Sequence, residues 1–316
     1  MRPANRLKRF LYLYGKSARP YYAFVTGFAG WAGIAASGAD FSARMLVALL
    51  MLFASWGINQ IINDWLGLPE DRVNAPNRPM VTGELNARAA LALSAVLMLG
   101  SFAIAWFFSP VSVVLVGLGY SLNVAYQYSK AVPVLANVVF GVMIALCYYF
   151  GLLFMTPDLS VAELASVRHL APFSAIALAN STMTYFTYFK DAVGDRAAGK
   201  TTLVVLLGPR RAAQVGWPMA LLPFAPLVAM APTFPGAAPL GLAALSLLVA
   251  LHTAWLYQRH PEGERTYFNL CWNFRACILL QATVIATFQP LLGAVLWGLG
   301  FLGIGYLFAL HADPRS

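Results

Sequence analysis

Ten apolar runs, each close to the thickness of a bilayer, constrain this chain more than any other feature. They fall at roughly 20–38, 43–63, 87–107, 109–128, 132–155, 169–189, 211–230, 237–257, 269–288 and 290–310. A membrane-spanning helix needs about 20 such residues. Runs this dense leave short connections and no room for a water-soluble domain. Charged residues are 10% of the chain, against about 25% in a soluble protein, and mean hydropathy is +0.68. The fold class expected is therefore all-α: a polytopic membrane helix bundle forming one integral membrane domain over residues 1–316. The first run follows a basic start, as a signal peptide does, but it is too long for a typical signal core and more spans follow. It is expected to be helix one, retained.

The distribution of charge tests this topology. With ten spans, all of the 21 basic residues except Arg44, Arg168 and Arg275 fall on the side of the N-terminal segment, Arg2 and Arg315 included. The positive-inside rule then places the N-terminus and those loops in the cytoplasm, in an integral cell-membrane protein. The same rule accounts for the net charge of +9 without nucleic acid as a partner. Cys147, Cys271 and Cys277 lie in apolar stretches with no pairing or metal-binding spacing, and the four histidines are scattered. No feature points to an obligate protein partner. Arg275, inside helix nine, is costly in lipid. It is expected either to snorkel to the cytoplasmic edge or to face a cavity with Asn269 and Asn273.

Two loops carry the chemistry. One, over about 63–86, follows helix two and contains Asn63, Asp64, Gly67, Glu70, Asp71, Arg72 and Arg78. The other, over about 190–210, follows helix six and contains Lys190, Asp191, Gly194, Asp195 and Lys200. Both follow even-numbered spans, so both lie on one membrane face, and together they hold half of the 12 acidic residues. Asp191 and Asp195 are four apart and share a face if the helix continues past residue 189. Asn59, Asn63, Gly67 and Asp71 have the same spacing, with a bend expected at Pro69. Carboxylates crowded at a membrane surface need a cation to offset them. Mg²⁺ suits them because it binds through one or two carboxylates plus substrate phosphates. A diphosphate held this way would have its remaining oxygens gripped by basic residues, with Arg19, Arg72, Arg78, Lys130, Lys190 and Lys200 as candidates.

A lipid-embedded site of this kind implies a substrate with a charged head and an apolar tail, an isoprenyl diphosphate. Its ionisation leaves an allylic cation, which aromatic faces stabilise. Trp56, Tyr126, Tyr149, Tyr185 and Tyr188 are the pocket candidates. The other readings are weaker. Gly194 to Thr201 matches a phosphate-binding loop letter for letter but follows a membrane helix rather than a buried strand. Asn180-Ser-Thr matches a glycosylation acceptor but lies inside helix six. A transporter would place its ionisable residues at the bilayer midplane, whereas these cluster at one end.

The pattern Asn63-Asp64-x-x-Gly67-x-x-x-Asp71, with Asn74-x-Pro76-x-Arg78-Pro79, resembles the first motif of the UbiA superfamily of intramembrane prenyltransferases. Lys190-Asp191-x-x-Gly194-Asp195-x-x-x-Gly199 resembles the second. Ser17-x-Arg19-Pro20 and Tyr128-Ser129-Lys130 are similar to its helix-one start and its link from helix four to five. The resemblance implies a UbiA-like bundle of nine to ten helices around a central cavity. It implies a metal-binding role for Asp71, Asp191 and Asp195, with Glu70 and Asp64 as further candidates. It also implies diphosphate binding by Asn63, Arg19 and Lys130, and less directly by Arg72 and Arg78, and two or more Mg²⁺ ions. Gly67 stands where the family's transferases carry a middle Asp. That departure resembles the UbiA-type terpene cyclases, so the expectation is an enzyme that ionises a C10–C20 prenyl diphosphate and cyclises it. The alternative is transfer of the prenyl group to an aromatic or other small acceptor.

Overall fold

The structure is a computed structural model describing residues 3–310, so Arg2 and Arg315 lie outside the described residues. The α-helices are α1 (Pro3–Ser17), α2 (Ala23–Ser37), α3 (Ala43–Leu66), α4 (Leu68–Asn74), α5 (Ala87–Phe108), α6 (Pro110–Ser129), α7 (Leu135–Met155), α8 (Val161–Leu164), α9 (Val167–Ala197), α10 (Leu203–Leu207), α11 (Pro209–Leu221), α12 (Ala225–Met230), α13 (Ala238–Arg259), α14 (Arg265–Ala286) and α15 (Pro290–Leu310). No strand occurs among the described residues.

Among the described residues, seven helical stretches are long and apolar enough to cross a membrane: α3, α5, α7, the broken stretch Pro209–Thr233, α13, α14 and α15. The other three expected runs correspond to α2, α6 and α9. Helix α2 has 15 residues because the run's first three, Pro20–Tyr22, form a separate 3-10 turn. Buried Asn123, Gln127 and Ser129 make the last turns of α6 polar. Helix α9 reaches 31 residues because it continues through Lys190, Asp191, Asp195 and Arg196. The seventh expected run is also broken, at a 3-10 turn over Leu222–Phe224, where Pro223 has no amide hydrogen to give.

Helices α2, α7, α9 and α14 form the buried centre, with the more exposed α5, α6, α13 and α15 outside. Hydrocarbon outside gives these helices no hydrophobic reason to associate, so close packing has to hold them. Gly33 meets the backbone of Tyr148, Gly151 that of Gly30, and Gly141 that of Ala177. A side chain at any of the three would collide with main chain. Asn273 of α14 donates to the carbonyl of Met183 in α9, 2.8 Å away. Arg275 takes neither expected course. Its Nε donates to the Phe301 carbonyl at 3.0 Å, and its guanidinium lies 4.2 Å from the Phe301 ring and 4.9 Å from that of Trp272. Aromatic faces on α14 and α15 supply what water would otherwise give.

A candidate diphosphate site at one end of the bundle

The two motifs meet. Helix α3 ends at Gly67, whose amide closes onto the Asn63 carbonyl at 2.8 Å, and Pro69 starts α4 within two residues. This break turns Glu70 and Asp71 inward while Arg72, one residue on, is exposed. Helix α9 carries Asp191 and Asp195 one turn apart, in the segment that runs beyond the apolar span. Asn74 joins the two. Its Nδ2 donates to the Asp191 carbonyl at 3.0 Å, its Oδ1 accepts the Gly194 amide at 2.9 Å, and its own carbonyl accepts the Tyr267 hydroxyl of α14 at 3.0 Å.

The partly open cavity between the motifs has about 600 Å³ of space, counting the part open to solvent. Of the expected residues, Arg19, Trp56, Asn63, Asp64, Glu70, Asp71, Arg78, Tyr126, Lys130, Lys190, Asp191 and Asp195 line it, as does Gly67. Most charges are paired: Arg78 with Asp71, Arg19 with Asp64 at 2.7 Å, Lys190 with Asp191 at 2.5 Å, and Lys200 with Glu70 at 3.2 Å. Two are not. Asp195 is 1% exposed, and neither of its carboxylate oxygens has a hydrogen-bond partner. Lys130 makes no ion pair among the described residues; its ammonium lies 5.4 Å from the centre of the Tyr126 ring. Arg19 reaches the cavity from a left-handed backbone conformation (φ 50°), which is costly for a side-chain-bearing residue and is held by its surroundings.

Burial raises the Asp195 carboxyl to about 6, with Lys130 opposing and Asp191 and Glu70 reinforcing the shift. Burial likewise raises Asp71, against the pull of Arg78. Carboxylates held this way gain from a divalent cation, which favours their charged form. Among the described residues no three acidic, histidine or cysteine side chains converge to hold a metal by themselves. Mg²⁺ does not require that, because it keeps waters and takes phosphate oxygens. The unpartnered, buried Asp195, in a cavity that Asp71 and Asp191 also line, therefore fits a divalent cation that takes its remaining ligands from phosphate and water.

Four expected residues lie elsewhere. Arg72 points to solvent. Tyr149 sits toward the opposite end, its hydroxyl donating to the Leu164 carbonyl at 2.9 Å and its ring against Phe173. Tyr185 is packed away from the cavity, bonded to the Ala212 carbonyl at 2.5 Å. Tyr188 stands behind Tyr126, hydroxyl to hydroxyl at 3.3 Å. Helical rotation explains the last three: an aromatic residue near a motif in sequence need not face it. Lys200 does not line the cavity but holds Glu70, and Asp64 is occupied by Arg19 and by Gln60, the latter at 2.7 Å. The lining also includes Tyr22, Gln60, Gln127, Phe140 and Thr187, which the sequence reading did not single out. Tyr22 stacks on Trp56 with ring centres 4.4 Å apart, and nothing in the local sequence marks its ring as facing the cavity.

A helical membrane bundle with paired acidic motifs and phosphate-ready cations at one end defines an intramembrane prenyltransferase-type enzyme. Residues 23–278 match the UbiA prenyltransferase family, and the chain belongs to that family. It is 29% identical over 273 residues to the digeranylgeranylglyceryl phosphate synthase of Thermococcus kodakarensis, covering 84% of this chain and 91% of the relative. It is 28% identical over 195 residues to the synthase of the same name from Methanoculleus marisnigri, covering 61% and 67%. Among solved structures, a UbiA homologue from Aeropyrum pernix matches with TM-score 0.71 at 21% identity, covering 85% of this chain and 98% of that one. One from Archaeoglobus fulgidus bound to GPP and Mg²⁺ matches with TM-score 0.66 at 18% identity, covering 93% and 99%. The expectation of a terpene cyclase, drawn from Gly67, is overturned: the relatives are named as synthases of a doubly prenylated glyceryl phosphate, a product of prenyl transfer. Glu70, buried in the same wall, is held by Lys200 at 3.2 Å.

Proposed function

We propose that the protein transfers the prenyl group of an isoprenyl diphosphate to a small acceptor in the membrane, with Mg²⁺ as cofactor. The observation that carries this is the convergence of Asp71, Asp191 and Asp195 with Arg19, Arg78 and Lys130 on one cavity that abuts an apolar one. The relatives' name supports a glyceryl phosphate lipid as the acceptor class. Neighbours in the same fold that bind GPP or DMAPP with Mg²⁺ support the donor and the metal.

Asp71, Asp191 and Asp195 would hold two or more Mg²⁺ ions, with Glu70 beside them. When bound, Mg²⁺ supplies positive charge at the departing diphosphate. Lys130, already without a carboxylate partner, takes a phosphate oxygen. Arg19 and Arg78 can do so by leaving part of their carboxylate contacts, and Asn63, which lines the cavity, can donate its Nδ2–H to a phosphate oxygen. The C1–O bond of the donor breaks with its electron pair going to the diphosphate. The acceptor hydroxyl oxygen bonds to C1 and its proton passes to the departing diphosphate. Trp56, Tyr22 and Tyr126 line the cavity, Trp56 and Tyr22 stacked on each other, and supply aromatic electron density to the developing positive charge. The site's mouth and the N-terminus face the cytoplasm on the charge distribution, within a single membrane domain.

The test is turnover by purified protein in vesicles with C10, C15 and C20 diphosphates and Mg²⁺, with and without a prenylglyceryl phosphate acceptor. Acceptor-dependent diphosphate release and a prenylated lipid product are expected. Absence of prenylated product with every donor and acceptor, from folded protein, would reject the reading.

A further inference from the structure

A second cavity, apolar and partly open at the side, with about 620 Å³ of space counting its open part, lies between α2, α3, α5, α6 and α7. It meets the polar one at Trp56, which lines both. On α7, Phe140 borders the polar cavity and Phe150 the far end of the apolar one. Ten residues of helix separate them, about 15 Å at 1.5 Å per residue. Met51 on α3 and Leu115 on α6 come in at the same depth.

That end is stiff. Phe150 is buried, with its ring 5.2 Å from that of Phe154, which in turn stacks near Phe108. Arg44 fastens this group from outside. Its Nε donates to the Phe154 carbonyl at 2.5 Å, and its NH2 to that of Phe108 at 2.6 Å. A chain entering from the diphosphate end therefore runs into a braced floor.

Resting on the prenyl-transfer reading, in which this cavity takes the donor's isoprenyl chain, we infer that Phe150 sets the maximum length of that chain. An extended chain advances about 3.5 Å for every three bonds, so 15 Å takes roughly a dozen bonds, the main chain of a C15 group. A C20 chain fits by leaving its first unit in the polar cavity. Anything longer meets Phe150. Gly119 controls the width: a side chain there would enter open space, with no atom within 4 Å of its first carbon.

Two variants test this in opposite directions. Phe150→Ala lowers the floor, and Gly119→Leu narrows the passage at a helical position where Leu is a good helix former. Each would be assayed in vesicles with C10, C15, C20 and C25 diphosphates and a common acceptor. Phe150→Ala is expected to raise kcat/KM for C25 relative to C15 about tenfold. Gly119→Leu is expected to lower C20 relative to C10 by a similar factor, chiefly through KM, as steric pocket changes do. Should Phe150→Ala not fold, Gly119→Leu decides alone. An unchanged chain-length profile in an active Gly119→Leu enzyme overturns the inference. A wild-type protein that transfers no donor would instead refute the function on which it rests.

Discussion

Asn74 and Gly194 are locked face to face. The Asn74 amide brackets the backbone of α9 by giving a hydrogen to Asp191 and taking one from Gly194, and Gly194 has no room for a Cβ because the Asn74 side chain fills that space. The spacing between Asp71 and the Asp191–Asp195 pair depends on this contact. Asn74→Ala and Gly194→Ala are each expected to weaken Mg²⁺-dependent turnover about 10–100-fold, the usual cost of losing a group that orients metal ligands. Because both break the same contact, the double variant should be little worse than either single one. Fully additive losses in a double-mutant cycle would count against the clasp.

Asp195 gives the site a pH dependence. Its carboxyl, raised to about 6 by burial, must be deprotonated to bind a cation. Apparent Mg²⁺ affinity should therefore be full above pH 7 and fall as pH drops through about 6, up to about tenfold per unit below that. Asp195→Asn should remove this dependence along with most activity. Titration of Mg²⁺ activation in the wild type between pH 5 and 8 is the check, and a flat affinity would exclude Asp195 as a ligand.

Among the described residues, Lys130 is the cation in the cavity wall that makes no ion pair with a carboxylate. Its replacement by Met should raise KM for the prenyl diphosphate and lower kcat/KM by about 100-fold, as loss of a charged group aimed at the leaving oxygens does. The effect on thermal stability should be small, because no ion pair is lost. Arg72→Met should leave both parameters within about twofold, since Arg72 is exposed. Comparable losses in the two variants would mean that Lys130 acts only through general surface charge.

The contrast between these lysines and arginines shows what could be read from the chain. The bundle and the meeting of the two acidic loops were legible because bilayer-length apolar runs and helix parity are one-dimensional patterns. Asp191 and Asp195 came with their geometry, since residues four apart share a helical face. The aromatic wall did not. Tyr149, Tyr185 and Tyr188 are near the motifs or the centre by number, but each faces a neighbouring helix, and which way a membrane helix rotates is set by packing at residues such as Gly33 and Gly141. Tyr22 and Gln60 reach the cavity for the same reason, with no sequence spacing to announce them. Tyr149→Phe and Tyr185→Phe should therefore keep kcat/KM within about twofold, whereas Trp56→Leu should lower it by more than tenfold, consistent with the worth of a desolvated ring face. Equal sensitivity at all three positions would contradict this assignment.

Gly67 separates the two halves of the first motif. A Cβ placed there would lie 3.0 Å from the Asn63 carbonyl oxygen and 4.0 Å from Asp71 Oδ2, so any side chain at 67 begins beside the Asp71 carboxylate, the proposed metal ligand. Gly67→Ala changes only bulk, and a loss of no more than a few-fold is expected. Gly67→Asp adds a like charge next to Asp71. Such a pair resists ionisation until a cation is shared between them, while a further oxygen ligand strengthens the cation's hold. The variant should thus bind Mg²⁺ more tightly at pH 8 but lose that advantage sooner on acidification, with prenyl transfer retained. Mg²⁺ activation curves at pH 6 and 8 for the wild type and both variants decide it. If Gly67→Asp shows no change in Mg²⁺ affinity at either pH, position 67 does not face the metal, and its glycine serves only the break between α3 and α4.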